Sequence, residues 1–148
     1  MDTVIDQSAT GNGGADASAL LDNAGAITIG AAAYASGSFG SAHATVSTAV
    51  SQDANAFGGG NAVAGITNSG DIEITAVATA HSTRNSAYAY ATVTNGIFQT
   101  ASATGGGYAS ALLDNSGTIT IHATANAHGL GETAVAVAFG VLPVVGAA

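Results

Sequence analysis

The sequence contains no cysteine, no tryptophan and one strong base, Arg84, and these absences exclude whole classes of function. Without cysteine the chain has no disulfide, no thiolate metal ligand and no thiol nucleophile. With nine Asp and Glu and a formal net charge of −8, it cannot build a basic surface for phosphate, so we expect no nucleic-acid partner. Charged residues make up only 7% of the chain, so Ser, Thr, Asn and backbone groups must hydrate its surface.

Targeting and membrane signals are also scarce. The start, Met1-Asp2-Thr3, is not a basic region followed by an apolar run, so we expect no signal peptide. No stretch of about 20 consecutive apolar residues occurs, so we expect no membrane insertion.

What the sequence does contain is Ala, Gly and an internal repeat. There are 35 Ala and 21 Gly, and segments 17–35, 62–80 and 109–127 align with each other at offsets of 45 and 47 residues. A second block recurs around Gln7, Gln52 and Gln99, and Pro143 falls at the fourth such position. A fixed period of this length indicates a repeat array. We therefore predict a single repeat domain over 1–148, with units at approximately 7–51, 52–98 and 99–142.

Although Ala favours helices, the spacing of apolar residues in each unit predicts strands. Isoleucine and then alanine occupy every second position after the aligned turn, whereas the alternate positions vary between polar and small residues. A fixed apolar face with period two is typical of a strand that buries one side. We predict that the core includes Ile27, Ile29, Ile72, Ile74, Ile119 and Ile121.

Each unit divides into three predicted strands, which in the third unit span 99–113, 118–127 and 134–141; the equivalent of the last stretch in the preceding unit is 87–97. The fold class we predict is all-β: a parallel β-solenoid of three coils of about 45 residues with three strands each. Because Ala side chains are too small to fill a wide interior at normal packing density, we expect a flattened β-helix.

The turn between the first two strands repeats an Asn and a Gly in every unit: Asn23 and Gly25, Asn68 and Gly70, Asn115 and Gly117. Both residue types accept positive φ, so the motif suits either a hairpin turn or a corner in a parallel stack. In a stack, the three Asn amides would form a ladder of hydrogen bonds along the axis. Gln7, Gln52 and Gln99 are candidates for a second ladder.

The Asn-Ser-Gly-x-Ile-x-Ile corner of residues 68–74 and 115–121, followed by alternating small residues, resembles the repeats of bacterial secreted β-solenoid proteins. These include autotransporter passenger domains and filamentous-haemagglutinin-like adhesins. The resemblance implies a right-handed parallel β-helix, export, and a role in adhesion, biofilm or surface fibres. This chain differs from those repeats in its long unit and its Ala-rich interior.

No pattern in the sequence marks a catalytic, metal or cofactor site, and we expect no enzyme activity. His43, His81, His122 and His128 suit either a solvated surface or a metal or pH-sensing role, and no third ligand is evident beside the pair His81 and His128. The Gly clusters at 58–60 and 105–107 lack the pattern of a phosphate-binding loop and suit bends instead.

Tyr88 and Tyr90 are predicted to project from one face of their strand, with Val135 and Val137 at the equivalent places in the next unit. Such apolar outer residues suit lateral pairing of filaments or docking on a surface. Burial by a neighbouring layer is the alternative.

Two functions of different classes follow. The first is a structural protein, extracellular or on the cell surface, whose subunits stack head-to-tail into a fibre, matrix or adhesin stalk with itself as partner. It rests on a chain that begins and ends near the same phase of its repeat and on the lack of Lys at exposed strand edges. The second is a monomeric solenoid that binds a glycan, ice or another surface.

Overall fold

The computed structural model describes residues 2–147, and for 141–147 it describes the backbone alone. All described elements are β-strands: β1 (Thr3–Gly11), β2 (Ala17–Asn23), β3 (Ala26–Gly37), β4 (Gly40–Phe57), β5 (Ala62–Asn68), β6 (Asp71–Ser82), β7 (Ala87–Thr104), β8 (Ala109–Asn115), β9 (Thr118–His128), β10 (Glu132–Ala138) and β11 (Val141–Ala147). Within residues 2–147 there is no helix with the length and apolar character needed to cross a membrane.

The strands form three parallel sheets, each of which takes one strand from every turn of the chain. We call them the long sheet (β1, β4, β7 and then β10 with β11), the short sheet (β2, β5, β8) and the intermediate sheet (β3, β6, β9). Ile72 pairs with Ile27 on one side and with Ile119 on the other, so equivalent residues of successive coils lie directly above one another. The predicted parallel β-solenoid with three coils is therefore confirmed.

The predicted strand bounds within each coil were wrong in one respect. The Gln block does not continue through the Gly cluster into the next strand; it joins the preceding Ala-rich run to form one 18-residue strand, β4 or β7. The chain then bends at the Gly cluster, where Gly58, Gly59, Gly105 and Gly106 have positive φ of 80–100°. A positive φ ends a strand, and glycine adopts it without a steric penalty.

The core contains large aliphatic side chains beside the Asn-Gly corner and Ala beside the Gly cluster. The largest fully buried side chains include Ile66, Ile72 and Ile74 near the Asn corner and Ile97 in the facing long strand. Away from that corner, Ala alone fills the space between the long sheet and the short sheet, as in the cluster that includes Ala54, Ala56, Ala62, Ala64, Ala101 and Ala103.

The six predicted core isoleucines all point inward, but their burial depends on the coil. Ile72 and Ile74 of the second coil are 1% and 0% exposed. Ile27, Ile119 and Ile121 of the outer coils pack on the same cluster but are only partly buried, whereas Ile29 is 4% exposed. The outer coils thus present apolar side chains at both ends of the stack.

The three corners of a coil differ in how constant they are. The Asn corner has two residues between strands in every coil: 24–25, 69–70 and 116–117. The corner from the intermediate sheet to the long sheet has two, four and three residues, at 38–39, 83–86 and 129–131. This second corner accounts for the change in offset from 45 to 47 residues between paired strands.

Two of the three corner glycines, Gly70 and Gly117, are required by close backbone contact and not by positive φ. None of Gly25, Gly70 and Gly117 has positive φ, and no Asn among the described residues does either, which corrects the sequence-based explanation. A Cβ on Gly70 would collide with the carbonyl oxygen of Gly25, and a Cβ on Gly117 would collide with that of Gly70. A Cβ on Gly25 meets no atom within 4 Å among the described residues.

The substitution Gly70→Ala should therefore lower the free energy of unfolding by about 1–3 kcal/mol, as expected for overpacking in a rigid interior. The matched variant Gly25→Ala should leave it unchanged or raise it by up to about 1 kcal/mol, because the unfolded chain becomes less flexible. Urea denaturation followed by circular dichroism would measure both values. Equal stability of the two variants would show that the corner does not need glycine for its backbone contact.

Candidate functional site

The Asn corner holds a row of side-chain amides along the stack. Asn23 Nδ2 donates to Asn68 Oδ1 at 2.7 Å, and Asn68 Nδ2 donates to Asn115 Oδ1 at 2.6 Å. The same Nδ2 atoms also donate to backbone carbonyls, as Asn68 does to Gly70 at 3.0 Å. Asn suits this position because its short amide side chain can hydrogen-bond to the backbone of its own corner and, at the same time, to the amide of the next coil.

The Gln residues form a second row inside the stack. Gln52 Nε2 donates to Gln7 Oε1 at 2.8 Å, and Gln99 Nε2 donates to Gln52 Oε1 at 2.9 Å. Each Gln also bridges to the short sheet: Gln52 donates to the carbonyl of Gly65 and Gln99 to that of Leu112, both at 3.0 Å. Gln52 and Gln99 are fully buried, so these bonds satisfy polar groups that would otherwise be costly inside an apolar interior.

The two rows have opposite polarity. In the Asn row each amide donates toward the third coil, whereas in the Gln row each amide donates toward the first coil. Gln99 Oε1, at the third-coil end of its row, is a buried side-chain atom that has no hydrogen-bond donor among the side chains of residues 2–140. A buried acceptor without a donor costs about 1–3 kcal/mol.

At the first-coil end, the Gln row ends in an N–H donor and the Asn row ends in an acceptor oxygen. Gln7 Nε2 donates to the carbonyl of Leu20 at 3.0 Å, the bond that Gln52 and Gln99 make to their own short strands. The second N–H, which Gln52 and Gln99 give to the coil before them, has no acceptor among the described residues. At the Asn corner, Asn23 Oδ1 accepts only from the backbone N–H of Gly25, at 3.2 Å, within the described structure.

A third row was not predicted from the sequence. Asp16 Oδ1 accepts from the backbone N–H of Asn61 at 2.7 Å, and Asn61 Oδ1 accepts from that of Tyr108 at 3.0 Å. The same offsets of 45 and 47 residues that relate the Asn and Gln rows also relate these positions, so the repeat itself was the available signal. These hydrogen bonds hold the chain of successive coils together just before each strand of the short sheet begins.

The predicted outer aromatic residues lie on the long sheet and stack on residues of the first coil. The Tyr90 ring lies 4.7 Å from that of His43 with 13° between their planes, and the Tyr88 ring lies 5.6 Å from that of Phe39. Both Tyr side chains are half-buried. The predicted equivalence with the next strand is shifted, because Val135 pairs with Tyr90 but Val137 pairs with Thr92.

The histidines do not converge on a metal site. His81 and His128 lie in register with ring centroids 5.2 Å apart, and His128 Nδ1 lies 3.4 Å from a carboxylate oxygen of Glu132. Among the residues that the structure describes, no three His, Asp or Glu side chains are grouped closely enough to hold an ion. The remaining two histidines, His43 and His122, are exposed.

The outer face of the short sheet carries an apolar notch that sequence reasoning missed. Leu20, Gly65 and Leu112 occupy equivalent positions of the three coils, and the two Leu side chains are 61% and 59% exposed. The missing side chain at Gly65 leaves a space of about 330 Å³ between them. The signal in the sequence is a single repeat position that carries Leu in the first and third coils and Gly in the second.

No protein-family model, curated protein or solved structure matches the chain.

The central Asn should contribute more to stability than its neighbour at the corner. Asn68→Ala removes the bonds to both Asn23 and Asn115 and leaves two amides partly unpaired, whereas Ser69 makes one bond of 3.5 Å to the carbonyl of Asn23. We expect Asn68→Ala to reduce the free energy of unfolding by about 1–3 kcal/mol more than Ser69→Ala does. Equilibrium denaturation of the two variants would test this, and equal midpoints would contradict it.

Proposed function

We propose that the protein is a structural component whose β-solenoid subunits stack head-to-tail into an extracellular fibre, matrix or adhesin stalk. The observation that carries the proposal is the chemical complementarity of the two ends of the stack. The extracellular setting is supported by the resemblance of the Asn corner to secreted solenoid repeats.

The complementarity gives the contact a direction. At the third-coil end, Asn115 Nδ2 has a second N–H to donate, and the acceptor Oε1 of Gln99 lies buried where β11 pairs with β7. At the first-coil end, the matching groups are the acceptor Oδ1 of Asn23 and the second N–H of Gln7. A head-to-tail contact places each donor opposite an acceptor. A contact between two like ends that sets Asn row on Asn row and Gln row on Gln row places donor against donor and acceptor against acceptor, so it is disfavoured.

The strand edges are complementary as well. On the first-coil side, β1 covers only the second half of β4, from Thr48 to Ala56, and the first half from Gly40 to Val46 has no strand beside it within the described residues. On the third-coil side, β10 covers the first half of β7. A second copy in register would therefore place β10 of one subunit beside the open half of β4 in the next.

The outer coils supply apolar area for such a contact. Inward side chains that are fully buried in the second coil, such as Ile72 and Ala76, correspond to partly buried ones in the third coil, such as Ile119 and Ala123. Covering them with another coil buries apolar surface and pairs the exposed backbone groups of whole strands. Because this contact depends on backbone and methyl groups, we expect its strength to change little with salt.

One residue of the first coil opposes close stacking. Ala15 occupies the position of Gly60 and Gly107, where a Cβ would collide with the backbone of the coil beneath. The segment that contains Ala15, between β1 and β2, must therefore shift when a subunit stacks below it. Removal of this methyl group should favour assembly.

Two single substitutions at the first-coil end test the proposal with opposite expected signs. Gly25→Ala leaves the subunit folded but puts a Cβ where Gly117 of a preceding copy would lie, since Gly70 and Gly117 both contact the coil before them in this way. We expect it to abolish fibres, and we expect Ala15→Gly to lower the protein concentration needed for assembly. Electron microscopy and sedimentation would measure both, and fibres should repeat every ~14 Å, three strand spacings.

The proposal is wrong if the unmodified chain, shown to be folded by circular dichroism, sediments only as a 14.0 kDa species at micromolar concentration. It is also wrong if Gly25→Ala forms fibres as readily as the unmodified chain.

A second candidate function is a monomeric binding module for a glycan or another surface, and the notch over Gly65 favours it. Its walls include Leu20, Val63 and Leu112, with Asp22, Thr67 and Ser110 as polar groups. Such a space is apolar with few polar contacts, as in many small-ligand sites. An ice-binding face is less well supported, because the charged Glu73 interrupts the row that contains Thr28 and Thr120.

Filling the notch separates this candidate from the first. A Cβ on Gly65 lies 3.0 Å from the flexible end of Leu20, so Gly65→Val should fold and occupy the space. If the notch binds a glycan, Gly65→Val should lose binding on a glycan array while fibre formation and thermal stability remain those of the unmodified chain. Ser110→Ala, which alters the rim without filling the space, is the control. Absence of glycan binding by the unmodified chain would reject this candidate.

A further inference from the structure

The first and last strands of the chain occupy equivalent places in the repeat. Gln7 of β1 pairs with Gln52, Gln52 pairs with Gln99, and Gln99 pairs with Pro143 of β11. On β7, the segment from Ile97 to Ala103 is therefore covered by β11 on the side where a fourth coil would begin. A second copy stacked in register on this end would place its own β1 where β11 already lies.

We propose that assembly proceeds by strand exchange, in which β1 of a second copy of this chain displaces β11 from the edge of β7. The inference rests on the head-to-tail stacking proposed above. The pairing of β11 with β7 is the contact that controls this stacking. In the single subunit β11 acts as a detachable cap, and the groove it leaves beside β7 is the binding site for β1 of the next subunit.

The state of Gln99 favours the exchange. Its Oε1 is fully buried and has no donor among the described side chains, and Pro143 stands in register at the position that Gln occupies in each of the three coils. Gln7 Nε2 of an incoming copy would donate to this atom in the way that Gln52 donates to Gln7 at 2.8 Å and Gln99 donates to Gln52 at 2.9 Å. The exchange therefore replaces an unsatisfied acceptor with a continuing row.

The backbone favours β1 as well. In the single subunit β1 pairs with β4 from Thr3 to Gly11, and the same register on β7 runs from Asn95 to Ala103. β11 pairs only from Ile97 to Ala103, and its Pro143 has no backbone N–H to give to a ladder. Addition of an extended segment to an exposed sheet edge is a common mode of protein recognition, in which main-chain hydrogen bonds supply the affinity.

The absence of native cysteine allows a direct test with engineered disulfides. Thr100 and Val144 are paired neighbours on β7 and β11, and adjacent strands lie about 4.8 Å apart, within the Cα separation that a disulfide accepts. The double variant Thr100→Cys with Val144→Cys should thus lock β11 in place when oxidised. We expect loss of fibres under oxidising conditions and recovery on addition of reductant, with the single variant Thr100→Cys as the control.

A second double variant detects the exchanged strand itself. Ser8 and Thr100 both pair with Asp53 from opposite sides, so within one subunit they are two strand spacings apart, about 9.6 Å, too far for a disulfide. In the exchanged contact, Ser8 of one copy lies beside Thr100 of the other. We expect Ser8→Cys with Thr100→Cys to give fibres that run as a ladder of covalent multimers on a non-reducing gel.

The results of these experiments distinguish strand exchange from head-to-tail stacking without exchange. If the locked variant forms fibres as well as its reduced form does, or the Ser8→Cys with Thr100→Cys fibres stay uncrosslinked, strand exchange is wrong. Head-to-tail stacking then stands only in another register, one that leaves β11 in place on β7. If neither the unmodified chain nor the reduced variants form fibres, both proposals are wrong.

Discussion

Backbone hydrogen bonds between coils that lie in register are the interaction on which the rest of this structure depends. The interior is built largely from Ala, whose buried methyl group contributes at most about 0.8 kcal/mol, so side-chain burial alone provides little stability. Close contact between backbones then decides which residues are tolerated. Gly70 and Gly117 lie where one coil touches the next, and Asn68 lies where a corner would otherwise leave amide groups unpaired.

The opposed polarity of the Asn and Gln rows turns a stack of similar coils into an object with two different ends. A single row of amides would already have a direction, but at a surface water can readily hydrogen-bond to one unmatched donor or acceptor. Two rows of opposite sense on separate parts of the coil, with Gln99 fully buried at the end of one, make the two ends of the subunit chemically complementary. The pattern that holds one coil on another inside the subunit is also the pattern that its ends present.

Much of the fold was accessible from the sequence, because the repeat and the period of two are both linear features. The pairing of Ile27 with Ile72 and the existence of three coils follow from alignment alone. The strand bounds did not, since the same Ala-rich alternation runs on both sides of the bend and only the backbone at Gly58 shows where the strand ends. The polarity of the amide rows also lies beyond the sequence, because it depends on how each amide turns about its last torsion.

The corner between the intermediate and long sheets differs in length from coil to coil, with two, four and three residues, while the strands on either side keep their register. Its second copy carries Arg84, the only strong base of the chain, on an exposed loop. A position that absorbs length differences without moving the strands is one where evolution or an engineer can insert sequence. In a stacked array, a segment grafted at 83–86 would recur once per subunit along one edge, so a single insertion would become a regularly spaced display.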